Sequence, residues 1–288
     1  MSRQIDAHQH FWRVSRGDYG WLTPELAAIY RDFGPAALTP LLDRHGIGAT
    51  ILVQAAPTAE ETRFLLEIAA AEPIVAGVVG WVALDRPGAA VEVAGLADND
   101  LLVGLRPMLH DLPQDDWILR PETAPGLEEV QRQGLVFDAL IRPPHLPHLL
   151  RLAERHPALS IVIDHAAKPE LRRGWSDDWA AGMRALARHA QVCCKFSGLL
   201  TEAGPGTGAA LLAPYLDLLL DAFGPERLVW GSDWPVLTLA ADYDRWRDVT
   251  MELLEPLPPE ARHAILGGNA ERIYLSRRGR RTDHAEAY

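Results

Sequence analysis

The sequence predicts a single α/β domain, a (β/α)8 barrel of the TIM type in a distorted form, over residues 1–276, followed by a charged tail at 277–288. Three observations predict it. The 288-residue length suits one barrel of roughly 250 residues with short extensions. Short β-branched apolar segments alternate with stretches of helical apolar spacing, the pattern of parallel β-α units. Most of these short segments are apolar on both faces, as strands covered on both sides must be.

The elements follow in order. The first strand, Gln4–His8, precedes a long loop at 11–35 in which Trp12, Tyr19, Trp21, Tyr30 and Phe33 stand among Gly and Pro. Thr50–Gln54 leads into a helix over Glu60–Ala71, and Ile74–Trp81 is the third strand. The fourth, Leu102–Leu109, opens onto a Pro-rich acidic loop at 110–126. Leu135–Ile141 and Ser160–Asp164 are next, the latter ahead of a helix over Asp177–His189. Val192–Ser197, a helix over Ala209–Phe223 and the strand Leu228–Gly231 complete the barrel. Both long loops leave the C-terminal ends of their strands, the face where substrate loops belong. The tail from Arg277 is charged and aperiodic, and is expected to fray.

Composition narrows the function. The 28 basic and 39 acidic residues give a net charge of −11, which disfavours nucleic acid and anionic membrane as partners. No run approaches the ~18 apolar residues of a membrane span, and the start carries no signal-peptide core, so a cytoplasmic protein is expected. Cys193 and Cys194 are adjacent on a strand and point apart, which suits two buried thiols in a reducing compartment rather than a disulfide. A small-molecule substrate fits this profile, and a homo-oligomer is left open.

The polar residues that end the strands carry the chemistry. His8 and His10, two apart at the end of the first strand, project to one side and offer two neutral nitrogen ligands for a divalent metal, or form an internally satisfied pair. His165 follows the apolar run Ile161–Ile163 onto the rim, as a catalytic group or a backbone-bonded histidine. By alternation its neighbour Asp164 faces the other way, in a structural role. Asp233, after Gly231-Ser232, is a metal ligand, a general base, or a turn-capping aspartate. Lys195 on the seventh strand and Arg106 on the fourth are expected to hold substrate or to pair with carboxylates. Gln54 suits substrate hydroxyls or the orienting of a neighbouring ligand, and Trp12, Trp21 and Tyr30 suit a cover over the substrate.

Taken together, His-Gln-His-Phe-Trp at 8–12, Val-Gln-Ala at 53–55, Asp-His-Ala-Ala-Lys-Pro at 164–169, Lys-Phe-Ser-Gly at 195–198 and Gly-Ser-Asp-Trp-Pro at 231–235 resemble the amidohydrolase superfamily. More narrowly they resemble its amidohydrolase-2 branch and the sugar-lactone hydrolases of the L-fuconolactonase type. The resemblance runs from about residue 4 to about 275. It implies hydrolysis of a small 1,4- or 1,5-lactone, with Asp233 taking a proton from water and His165 polarising the carbonyl. It also implies His8, His10 and Asp233 as ligands of one divalent metal, Zn or Mn, or of none. Two-metal members carry a carboxylate or modified lysine on the fourth strand and a histidine ending the fifth, where this chain has Arg106 and Asp138. His145 and His148 follow Pro143-Pro144 and are expected to belong to the next helix. Two rival activities share the scaffold. One is a metal-dependent non-oxidative decarboxylase. The other is a pyrone-type dicarboxylate lactonase, for which Arg106 and Arg142 would grip the carboxylates. A non-catalytic sugar-binding protein is the third alternative, and Asp233 argues against it.

Overall fold

The computed structural model describes residues 3–276, so the tail expected at 277–288 lies outside the described residues. Eight strands pair in parallel and in sequence order: β1 (Gln4–Gln9), β2 (Ile47–Val53), β3 (Val75–Gly80), β4 (Leu102–Leu105), β5 (Val136–Ala139), β6 (Ile161–Ile163), β7 (Val192–Phe196) and β8 (Leu228–Trp230). The seam between β8 and β1 is closed by His10 N–H to Trp234 O and Asp233 N–H to His8 O, both 2.7 Å. Around them run helices α1 (Pro35–Arg44), α2 (Ala59–Ala71), α3 (Ala89–Ala97), α4 (Ala124–Arg132), α5 (Leu146–Arg155), α6 (Asp177–Ala187), α7 (Leu199–Ala203), α8 (Ala209–Phe223), α9 (Tyr243–Leu254) and α10 (Pro259–His263). None is long and apolar enough to cross a membrane.

Two apolar layers follow from strand alternation. Inward residues such as Ile5, Ala49, Ile51, Val79, Val103, Val162 and Val229 fill the barrel, and the outward ones pack against the helices. Cys193 joins the inner layer and Cys194 the outer, both as free thiols. The chain segment Ala264–Leu275 closes the N-terminal end of the barrel. There Gly267 lies so close to Arg3 that an added Cβ would sit 2.2 Å from its carbonyl oxygen, and Tyr274 reaches inward to Asp138.

Seven of the eight strands end earlier than expected at their C-terminal ends, while β1 runs one residue further, to Gln9. β4 stops at Leu105 instead of Leu109, because Pro107 has no N–H to continue the ladder. The acidic loop after it is built of short turns, Leu109–Asp111, Trp117–Leu119 and Pro121–Thr123. His148 does lie on α5, and His145 ends the turn before it, bonded to Leu109 O at 3.2 Å.

Candidate active site

A bulge in β1 creates the histidine pair. Between Asp6 and Gln9 the register against β2 advances three residues on one strand and two on the other, as Asp6 pairs with Thr50 and Gln9 with Leu52. The extra residue lets Ala7 and His8 both turn inward, and His10 follows on the same side. Asp6, on the outer face, fastens this seam. Its carboxylate accepts from Ser232 N (2.8 Å), His8 N (3.2 Å) and the Tyr243 hydroxyl (2.9 Å), and burial pushes its pKa up to about 6. Gly231 permits the contact on the β8 side, since a Cβ there would stand 2.6 Å from that of His8.

His165 is placed by a different device. After Asp164 the backbone turns left-handed for four residues, His165 (φ 52°), Ala166 (51°), Ala167 (60°) and Lys168 (49°). Strand alternation ends there, so Asp164 and His165 both face the barrel axis. This corrects the expectation that Asp164 points away. Its oxygens lie 3.2 Å from Arg106 Nη1, 3.0 Å from Lys195 Nζ and 3.4 Å from His8 Nδ1. Asp233 is also left-handed (φ 61°), which swings its carboxylate over the axis.

These turns bring the rim residues together. Asp233 Oδ1 lies 3.3 Å from His10 Nε2, 3.6 Å from His8 Nε2 and 3.8 Å from His165 Nε2. His10 Nδ1 donates to Val53 O at 2.7 Å and His8 Nδ1 faces Asp164, so both Nε2 atoms, 3.2 Å apart, present lone pairs. Burial holds His8 and His165 well below the ordinary imidazole range, so both are neutral. Burial alone would raise Asp233, but the His165 Nε2–H edge, His10 and the nearby Lys168 ammonium outweigh it and hold the carboxyl below its ordinary range, so it is ionised. Three acceptor atoms thus converge without a hydrogen of their own. Tetrahedral zinc about 2.0–2.1 Å from each ligand needs ligand atoms roughly 3.3–3.4 Å apart, close to the separations here. The donor set of His8, His10 and Asp233 therefore fits one divalent ion. Arg106 Nη1, 3.3 Å from His8 Nε2, faces the same lone pair.

Other expected site residues sit beneath or behind the rim. Lys195 is fully buried, paired with Asp138 and Asp164, and does not line the pocket, which corrects its reading as a substrate-binding group. A buried ammonium between two carboxylates is held there by the charges it would otherwise leave unpaired. Asp138 is capped by the Tyr274 hydroxyl at 2.7 Å, well below the mouth. Gln54 is likewise buried, and its amide donates to Arg106 O at 2.6 Å, so it clamps the backbone of β4's end instead of reaching substrate. Trp12 is buried as a support: its ring packs edge-on to Trp21 at 5.5 Å, and its indole N–H donates to Arg31 O. Tyr30 is partly exposed on the surface and absent from the lining.

The pocket itself measures about 170 Å³ and is walled by His10, Arg106, His165 and Asp233 below and by Trp21, Met108, His110, Asp111 and Lys168 around. A cavity of about 150 Å³ holds benzene, so this space takes one small ring. Trp21 is fixed over it by its N–H to Ala55 O at 2.7 Å. Burial, with Lys168 and Arg106 nearby, pushes His110 down to about 3, so it too is neutral. His110 and Asp111 belong to the acidic loop after β4, which the sequence places at the substrate face without giving either residue a role. Lys168 stands in the motif at 164–169, three residues after His165.

Comparison with known proteins agrees with this architecture. An L-fucono-1,5-lactonase of Burkholderia ambifaria is 47% identical over 99% of this chain and 100% of its own. A second, of Burkholderia multivorans, is 39% identical over 94% and 95%. A crystal structure of an amidohydrolase from Burkholderia multivorans with bound zinc, 39% identical, superposes with a TM-score of 0.90 over 95% of this chain and 99% of that one. The amidohydrolase family pattern matches residues 5–275, and on these grounds the chain belongs to the amidohydrolase family, in its amidohydrolase-2 branch.

Proposed function

We propose that the protein is a lactonase that opens the ring of a sugar-acid lactone of the L-fucono-1,5-lactone kind. The observation that carries the reading is the ionised Asp233 carboxylate set against the Nε2 atoms of His10 and His165 at the floor of a one-ring pocket, with His8 Nε2 just beneath. The similarity to two L-fucono-1,5-lactonases over nearly the whole chain supports the substrate class.

Asp233 accepts a proton from water as the water oxygen bonds to the lactone carbonyl carbon, and returns it to the ring oxygen when the acyl C–O bond breaks. With the Ser197 hydroxyl donating to His165 Nδ1 across 2.9 Å, His165 Nε2 carries the hydrogen and donates to the developing oxyanion. Arg106 Nη1 is the second donor within reach of that charge. Trp21 covers the ring and excludes water from the opposite side. His8, His10 and Asp233 would hold one divalent ion, zinc or manganese, and the chemistry such an ion supplies when bound is Lewis acidity toward oxygen.

The pyrone-type alternative would have two arginines grip two carboxylates, whereas Arg106 lines this pocket and Arg142 a different cavity. The test is hydrolysis of a panel of 1,4- and 1,5-sugar lactones, followed by acid release, before and after treatment with a chelator and with zinc or manganese restored. Turnover of a fucono-type lactone, lost to the chelator and regained with the ion, is expected. Carbon dioxide release from an aromatic acid with no lactone turnover would transfer the assignment to the decarboxylases.

A further inference from the structure

Lys168, and not the buried Lys195, is the lysine at the pocket wall. It ends the left-handed run His165–Lys168, a conformation that L-residues avoid unless their surroundings hold it. Three contacts hold this one: Lys168 N–H to His165 O at 2.8 Å, Trp179 Nε1–H to Ala166 O at 2.8 Å, and Lys168 Nζ to Glu202 Oε1 at 2.7 Å. The turn that aims His165 at Asp233 therefore also delivers an ammonium group to the pocket wall.

Beyond that wall lies a second, larger cavity of about 1010 Å³, between the N-terminal ends of α5 and α6. Lys168 lines both spaces, while Glu202 and Arg142 line only the larger. The other cations of the site are already engaged. Arg106 is held by Asp164 and the Gln54 carbonyl, and Lys195 by Asp138 and Asp164. Lys168 has three donors, and Glu202 takes one of them.

The reaction creates the need for such a group. A sugar lactone is neutral. Adding water across its acyl C–O bond gives a hydroxy acid, which releases its proton to solvent and leaves a carboxylate. That new charge arises in a pocket that contains Asp233 and Asp111. We propose that Lys168 receives the carboxylate of the product aldonate, and that its exchange between product and Glu202 directs release into the larger cavity. The inference rests on the lactonase reading.

The experiment measures product inhibition by L-fuconate during lactone hydrolysis, and calorimetric binding of L-fuconate to the intact protein, for wild type, Lys168→Met, Lys168→Arg and Glu202→Gln. Lys168→Met is expected to weaken L-fuconate at least about tenfold, the effect of losing one charged hydrogen bond, and by more than it raises KM for the neutral lactone. Lys168→Arg should restore most of that affinity. Glu202→Gln, which removes the competing carboxylate, should tighten L-fuconate and lower kcat as release slows. Unchanged L-fuconate affinity in Lys168→Met, or equal weakening in Glu202→Gln, would overturn the proposal, the second by making the ion pair a brace of the turn. If Lys168→Met does not fold, the opposite signs expected for Glu202→Gln still decide the matter. Wild type without lactone turnover would bring down the lactonase reading itself, whereas active wild type with unaltered inhibition in the variants would bring down only this inference.

Discussion

At Asp233 one carboxylate faces three imidazoles, and its value to the site lies in being ionised while nearly buried. Asparagine keeps the shape and tolerates the left-handed backbone found there, so Asp233→Asn isolates the charge. We expect Asp233→Asn to lower kcat by about 1000-fold, within the range of a lost general base, with unchanged circular dichroism. A variant retaining more than about a tenth of wild-type kcat would remove the carboxylate from that role. The structure brings together His8, His10, His165 and Asp233, the four residues that motif and strand position single out in the sequence. Lys195, Gln54 and Trp12 were misplaced for a common reason. A polar or aromatic residue near a strand end can serve the mouth or brace what lies beneath it, and only the three-dimensional partners, Asp138 and Asp164 for Lys195, decide which.

The elements position these groups by departing from regularity. A bulge in β1, a left-handed turn after β6 and glycines at the closest approaches bring the rim inward. Gly198, after β7, shows how tight the fit is: its φ is +66°, and an added Cβ would lie 2.5 Å from His165 Nδ1. Gly88, before α3, shares a positive φ of +91° but has nothing within 4 Å of an added Cβ. Both alanine variants should lose about 1 kcal/mol or more of stability through backbone strain. Gly198→Ala alone should also lose activity, about tenfold or more, by displacing His165 from its Ser197 partner. Urea unfolding and kcat/KM on the two proteins separate the effects, and equal activities would mean that the His165 ring is not held by this packing.

Across the whole molecule, buried carboxyls tie the cover of the site to its frame. Glu61 on α2 accepts from the Tyr19 hydroxyl at 2.7 Å and from Ala55 N at 3.1 Å, which joins the long loop carrying Trp21 to the end of β2. Burial pushes its pKa from 4.5 up to about 7. The folded protein therefore holds this proton more tightly than the unfolded chain. The resulting stabilisation is complete below pH 4.5 and is lost as pH rises through 7, a loss of about 3 kcal/mol by pH values above 7. Asp164 and Asp233 act in the opposite sense: their pKa values are lowered, so their contribution is present above 3.8 and lost as pH falls. Unfolding free energies of wild type and Glu61→Gln, measured in urea between pH 4.5 and 8, should converge or cross as pH rises. A difference independent of pH would show that the carboxyl of Glu61 titrates normally.

The barrel, its strand order and the helix Ala209–Phe223 were determined by the sequence alone, because apolar period and β-branched runs are local properties that survive without knowledge of neighbours. The identities of the rim histidines and Asp233 were legible for the same reason, since strand ends are local features too. Which of Asp164, Lys168 and Lys195 would face the pocket was decided only by the tertiary structure. A bulge or a left-handed turn resets side-chain direction, and a buried charge goes wherever its opposite charge is found, and neither is written in the spacing of residues along the chain.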